Sequence, residues 1–341
     1  MTPPRPIEIV GGGLSGLALG AALRRADVPA VIFEAGDYPR HRVCGEFITG
    51  LGEKTIAHLG LAPLLADATR HHRVAWCLRD APMRLQTLPS PALGLSRHTL
   101  DARLAGEFVR LGGALRTHTR VTGGLTPPGR VFATGRRRGR PAWLGLKFHA
   151  RGLALATDLE LHLGHDAYIG LAPVEDGAIN VCGLFHLRED VHGERATLLL
   201  AHLRAAGLDA LAGRLECAEI DEDSFTAVAG LCFDRSPPDT GRLVLGDAFA
   251  MIPPFTGNGM AMAFQSAELA LGPLLAYSRG KASWPATCRA VHTLLHRRFR
   301  LRLASASALH RFLFSPRRQR WLFALNRARL LPLRPLFYAL H

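Results

Sequence analysis

The chain opens on a short apolar β-forming run, IEIV at 7–10, which stops at a glycine cluster and gives way to LALGAALRRA, whose alanine and leucine content suits a helix packed on a sheet. A second run, PAVIF at 29–33, ends at Glu34. The pattern predicts strand, turn, helix and strand in a parallel sheet. Far downstream, GRLVLG at 241–246 reads as another β-run, followed by a proline- and glycine-rich loop and a long helix entered near Gly259. Between these, RVAWCLRD, AWLGLKFHA and LELHLG alternate as strands of a mixed sheet do. AYIGLAPVEDGAINVCGLF at 167–185 predicts two strands joined by a hairpin turn at Glu175-Asp176-Gly177, and ATLLLAHLRAAGL predicts a helix on that sheet. From about Trp284 the tail reads as helices broken around Pro316, Pro332 and Pro335.

These elements predict an α/β fold. Segments 1–70, 95–140 and 228–285 would form a discontinuous Rossmann-type nucleotide-binding domain, and 71–94 with 141–227 a mixed β-sheet substrate domain. Residues 286–341 would form a basic helical segment.

The glycine cluster carries the first chemistry. In GGGLSG, Gly11 would make the tight turn, Gly13 would let the backbone approach a pyrophosphate and Gly16 would allow close helix-to-strand contact, with Leu14 and Ser15 at a helix N-terminus that faces the phosphates. Ser15 would place its hydroxyl on phosphate. Glu34, at the end of the second strand and followed by Ala35, is positioned for the ribose hydroxyls of an adenosine, and its charge disfavours a 2′-phosphate. This spacing by itself leaves NAD and FAD both open.

Charge adds a second theme. The net charge is +14, yet the residues after Glu268 hold 14 Lys or Arg and no Asp or Glu, so the entire excess lies in the tail. Arginines interleaved with apolar residues, as in RRFRLRLASASALHRFLF, favour a membrane surface or a partner groove over nucleic acid. Packing of these helices on the protein's own core, with the arginines solvated, is the competing reading. Six scattered cysteines without a CxxC pair point to a reduced, cytoplasmic setting. The N-terminus lacks the pattern of a signal peptide and no apolar run spans a bilayer, so secretion and membrane crossing are not expected. The histidine pairs at 70–73 and 41–44 lack ligand spacing, and no metal is predicted.

The combination of GGGLSG with Glu34, PRHRVCGEF at 39–47, LSRHTLDARL at 95–104, VFATG at 131–135 and GDAFAMIPPFTGNGM at 246–260 resembles the geranylgeranyl-reductase-like branch of the para-hydroxybenzoate-hydroxylase-type flavoproteins. The resemblance implies bound FAD, with NAD(P)H a candidate electron donor. Arg42, Cys44, Gly45 and Glu46 would lie beside the flavin, and Arg97 would approach the pyrophosphate or ribityl chain, held by Asp101 one helical turn on. Val121 and Ala133-Thr134-Gly135 would line the coenzyme. Gly246 and Asp247 would meet the ribityl chain, while Pro254, Gly257, Asn258, Gly259 and Met260 would present backbone N–H groups to the flavin pyrimidine edge. Cys44 either shapes the reaction or fills space beside the ring. The C-terminal helices would help to close the substrate cavity.

The chain also departs from the pattern. Hydroxylases of this fold carry Asp-Gly where this chain has Ala133-Thr134-Gly135, and the stretch around Pro127-Pro128-Gly129 is short for the meander found in most of them. The tryptophan-rich WxWxIP motif of flavin halogenases is missing. The expected function is an FAD-dependent oxidoreductase that transfers hydride between flavin and a lipophilic isoprenoid, polyketide or lipid-like substrate. Glu46 and Tyr168 are the candidate proton donors, and Tyr168, Leu171, Pro173 and Cys182 candidate cavity residues. A monooxygenase acting on an aromatic or polyketide substrate is the alternative, and a flavin-binding peripheral membrane or partner-binding protein is a third reading from another class.

Overall fold

The structure, a computed structural model, describes residues 3–79, 81–122, 126–136, 142–231, 233, 242–314 and 316–328. Pro332 and Pro335 fall outside them. Along the chain run β1 (Ile7–Val10), α1 (Leu14–Arg25), β2 (Ala30–Phe33), β3 (Phe47–Ile48), α2 (Glu53–His58), β4 (Thr69–Leu78), β5 (Ala81–Gly94) and α3 (Arg97–Arg110). The chain continues through β6 (Ala114–Arg116), β7 (Arg130–Phe132), β8 (Trp143–Arg151), β9 (Leu159–Gly164), β10 (Ala167–Pro173) and β11 (Ile179–His186). It ends with α4 (Ala196–Ala205), α5 (Asp209–Glu216), β12 (Glu219–Ala229), β13 (Leu243–Val244), α6 (Gly259–Ser278), α7 (Trp284–Leu313) and α8 (Pro316–Arg327).

Two sheets result. The first is parallel, in the order β13-β7-β1-β2-β6, with Ile7–Val10 in register with Ala30–Phe33. Among the described residues no strand separates β6 from β7. The second has eight strands in the order β12-β8-β11-β10-β9-β4-β5-β3, antiparallel throughout except where β4 runs parallel to β9. The 167–185 hairpin forms as β10 and β11, turning through Glu175–Gly177 with Asp176 at φ 57°. β3, from the first sequence segment, extends the second sheet.

Among the described residues three apolar clusters support the sheets, the smallest of them around Leu161, Tyr168, Leu184 and Phe255. α1 packs against α3 and α6, and its small residues bring it close. The Phe108 ring of α3 is fully buried against Gly20 of α1 and against Gly113, where an added Cβ would come within 3.0 Å and 2.2 Å of it. On the second sheet, Leu146 and Phe148 of β8 and Val181 of β11 pack under Leu199 and Leu203 of α4. α7 spans 30 residues, capped at its start by Ser283, and buries Val291, Leu295, Phe299 and Ala306 along one side. Each of the larger ones, Val291, Leu295 and Phe299, contributes about 1.5–3 kcal/mol on burial.

Phe108→Ala removes a ring that no small neighbour can replace. It is expected to lower the unfolding free energy by about 3–5 kcal/mol, measured by urea denaturation.

Candidate functional site

A cavity of about 880 Å³ runs from the β1–α1 turn, past the 40–47 loop, to the face of the second sheet. One end is built from the glycine cluster. Gly11 sits at φ 107°, and a Cβ there would lie 2.3 Å from the Ala133 carbonyl oxygen. Gly16 brings the helix onto the turn so closely that a Cβ would lie 2.0 Å from the Gly11 oxygen. Gly13, the N-cap of α1, has nothing within 4 Å of its would-be Cβ. The space beside it is therefore open to the cavity, at a helix end where unpaired N–H groups favour an anion.

Glu34 closes this end from β2. Its Oε2 accepts from the Gly12 N–H at 2.7 Å, and its Oε1 from the Gly36 N–H at 3.0 Å and from Arg40 Nη2 at 2.6 Å. Burial pushes its carboxyl up, but the Gly36 and Gly12 hydrogen bonds with the Arg40 and Arg42 charges outweigh it, and the net shift is downward. The Tyr38 hydroxyl donates to the Gly12 carbonyl.

The middle of the cavity is cationic. Asp101, fully buried, accepts from Arg97 Nε at 2.7 Å and Nη2 at 2.8 Å, and from Arg42 Nε at 2.9 Å. Both arginines line the cavity, and Arg42 Nη2 is buried there with no hydrogen-bond partner among the described residues. Asp247 lines the same stretch and faces into the opening while protein surrounds it, so burial raises its pKa against the pull of Arg97 and Arg136. α6 begins directly beyond, with Gly257 at φ 67° leading into it.

The far end is apolar. Leu161 and Leu184 from the second sheet line it together with Met251, Ile252 and Phe255, and Leu309 of α7 completes the wall. The Leu171 side chain, expected here, instead lies on the opposite face of β10 and packs in the core under α4. Tyr168 lines the far end as well, its ring 6.2 Å from that of Phe255 and 5.8 Å from that of Phe314. Burial pushes the phenol well above its ordinary value, so Tyr168 keeps its proton at neutral pH. The Cys44 and Cys182 thiols line the cavity too, and burial raises both. Cys44 stands there as a neutral thiol.

Most residues expected at the coenzyme converge on this cavity: Gly11, Gly13, Leu14, Ser15, Glu34, Ala35, Arg42, Cys44, Gly45, Arg97, Val121, Ala133, Thr134, Gly135, Gly246, Asp247, Pro254, Gly257, Gly259 and Met260 all line it. Gly16 and Asn258 stand behind the wall. Ser15 differs from expectation in its bonding, because its hydroxyl pairs with Ser266 Oγ at 2.8 Å, and Ser266 in turn accepts from the Gly246 N–H.

Glu46 requires a correction. It does not line the cavity; its side chain turns away, fully buried, from a backbone at φ 53°. Oε1 accepts from the Arg97 N–H at 2.9 Å and from Lys147 Nζ at 3.1 Å, while Oε2 lies 2.6 Å from His149 Nε2. Burial raises its pKa, but the hydrogen bond from His149 and the charge of Lys147 more than offset it, and the carboxyl stays ionised. An ionised carboxylate with both oxygens engaged is a structural anchor and holds no proton to donate. Lys147 escaped the sequence reading because its alternation in β8 suggests a solvent-facing position, whereas both faces of β8 are covered.

Comparison with known proteins places the fold. The family described as an NAD(P)-binding Rossmann-like domain matches residues 9–45. A menaquinone reductase of Mycolicibacterium smegmatis is 26% identical over 119 residues, a stretch covering 34% of this chain and 29% of that relative. Klebsiella pneumoniae HpxO, solved with FAD and uric acid, superposes with TM-score 0.77 at 17% identity over 98% of this chain and 95% of its own. A geranylgeranyl bacteriochlorophyll reductase-like protein of Thermoplasma acidophilum gives 0.75 at 16% identity over 98% and 95%. The flavin-dependent brominase Bmp2 gives 0.74 at 16% over 98% and 92%.

Two tests follow from the anchor and its neighbours. Lys147→Met leaves Glu46 short of a cation in a dry site, and the stability at pH 7 is expected to fall by about 3–5 kcal/mol in urea unfolding. His41, stacked on His98, is held neutral down to about pH 4 by burial and by the nearby Lys147 charge. An unfolded imidazole takes its proton near pH 6.5. The folded chain thus binds fewer protons, and stability present above pH 6.5 drains as the pH falls toward 4. His41→Gln is expected to flatten part of that slope, with His71 and His310, both also held near 4, carrying the rest. The fold that places all these groups is the one shared by the reductase-like protein of Thermoplasma acidophilum and by HpxO.

Proposed function

We propose that the chain is an FAD-dependent oxidoreductase that transfers hydride between the flavin and a lipophilic substrate. The observation that carries this reading is the polarity gradient along one continuous cavity: a glycine turn and helix end, then two arginines, then an apolar chamber. The residues fit the coenzyme. Gly13 leaves open the space that a pyrophosphate needs, and Arg42 Nη2 is a buried donor awaiting an acceptor. Glu34 would hold the adenosine ribose, with Arg40 yielding part of its contact. Arg97 and Arg42 would take phosphate or ribityl oxygens, and the N-terminus of α6 would face the pyrimidine edge, where negative charge is stabilised.

When bound, FAD supplies hydride transfer, and the protein supplies position, exclusion of water and protons. Leu161, Leu184 and Phe255 shape a chamber that admits apolar carbon and keeps water out. With Glu46 engaged elsewhere, the Tyr168 hydroxyl, protonated at neutral pH and facing the chamber, would be the proton donor. Cys44, a neutral thiol lining the cavity, would lie beside the flavin ring. The charge of Arg97, fixed by Asp101, is placed before any ligand arrives, so binding costs little reorganisation.

The monooxygenase reading draws support from the fold shared with PqsL of Pseudomonas aeruginosa, described as a probable FAD-dependent monooxygenase. Oxygen labelling separates the two: a reductase turns over under argon and its product carries no label from ¹⁸O₂, whereas a monooxygenase stops under argon and incorporates one labelled atom.

The coenzyme itself is tested by Gly13→Val. Its side chain enters open space at φ −87°, so the fold is expected to survive with an unchanged circular dichroism spectrum. FAD affinity is expected to drop by at least about a hundredfold, because the isopropyl group fills the path of the pyrophosphate. A protein that binds FAD equally well with this substitution would exclude the proposed orientation.

A further inference from the structure

The last two helices carry a surface that the cavity does not use. α7 buries Leu295, Phe299, Ala306 and Leu313 on one side. The opposite side exposes Arg297, Arg300, Leu301 and Arg311, spaced by three, four or multiples of a turn, so that they share one face. Leu301 is 68% exposed. α8 adds exposed Arg318 and Trp321, the latter also 68% exposed. α8 is itself held in place: the buried Gln319 Nε2 donates to the Gly164 carbonyl at 3.0 Å and to the Leu313 carbonyl at 2.6 Å. The large apolar side chains left in solvent here therefore sit on a fixed platform.

We infer that this face of α7 and α8 docks on an anionic phospholipid surface. Charge complementarity selects that partner: no Asp or Glu occurs after Glu268, so none within these helices offsets the arginines. Guanidinium groups seek lipid phosphate, while Leu301 and Trp321 enter the headgroup boundary, where an indole is favoured. No described helix is long and apolar enough to cross a bilayer, so the contact is peripheral. The same helix presents Leu309 to the cavity from its other side, with Phe314 against Tyr168. One helix thus separates the lipid surface from the apolar chamber. Docking does not depend on the coenzyme reading, and it is measured without turnover.

The test uses the full chain as purified, with phosphatidylcholine vesicles lacking or containing phosphatidylglycerol. Co-sedimentation with the anionic vesicles is expected to exceed that with neutral ones by at least about tenfold and to fall about tenfold as salt rises from about 0.05 to about 0.5 M. Trp321→Ala and Leu301→Ser are each expected to weaken it by about fivefold or more, with unchanged circular dichroism. Lipids brominated in the acyl chain are expected to quench the wild-type fluorescence and to leave Trp321→Phe largely unquenched. Equal partition onto neutral vesicles, indifference to both apolar substitutions, absence of quenching, or tighter retention by duplex DNA at the same salt would each overturn the inference.

Discussion

One buried carboxylate ties the molecule together. Glu46 leaves the 40–47 loop in a left-handed conformation and is held by the first backbone N–H of α3, which belongs to the nucleotide-binding half, and by Lys147 and His149 of β8, in the other sheet. A charge this deep is tolerable only if every partner stays in place. The loop, helix and strand are therefore fixed relative to one another, and so is Cys44, whose carbonyl accepts from Asn180 Nδ2 of β11 at 3.0 Å. A second carboxylate, Glu175 in the β10–β11 turn, accepts from the Ser96 N–H at 2.8 Å and reinforces the same junction. The cavity lies between two sheets joined by ionic contacts that water does not reach.

That rigidity explains how charge and grease share one cavity. Arg42 and Arg97 remain extended because Asp101 pays out its two oxygens to both, and neither needs a ligand to be ordered. Leu161 and Leu163 of β9, Tyr168 of β10 and Leu184 of β11 stand at alternate positions on one face, an outcome of strand geometry that presents a continuous apolar wall without any specialised motif.

The glycine turn, Glu34 and the distant 246–260 stretch were legible because their chemistry depends on local backbone: a tight turn, a helix start and a strand end all have short sequence signatures. The hairpin at 167–185 was legible for the same reason. Side-chain direction was not. Glu46 is adjacent to Cys44 and Gly45, which line the cavity, yet the reversal of its backbone sends the carboxylate the other way, and nothing in CGEF announces a positive φ at that glutamate. Ser15 lines the cavity as its place in the glycine turn implies, but its hydroxyl also has a partner 251 residues away, Ser266, which only the packing of α1 on α6 brings near. Lys147 and His149 look like ordinary alternation until the 40–47 loop brings Glu46 onto their face of the strand.

The strand order of the first sheet has a bearing on biosynthesis. β1, β2 and β6 are made early, but β7 is flanked on its outer side by β13, at Leu243–Val244, and α1 is completed by packing on α6, which ends at Ser278. At translation rates of about 5–20 residues per second, the nascent nucleotide-binding half waits on the order of ten seconds or more for its last pieces to leave the ribosome. During that interval α1 has β1, β2 and α3 to pack on but lacks α6, so the side that α6 covers stays open until residue 278 has emerged.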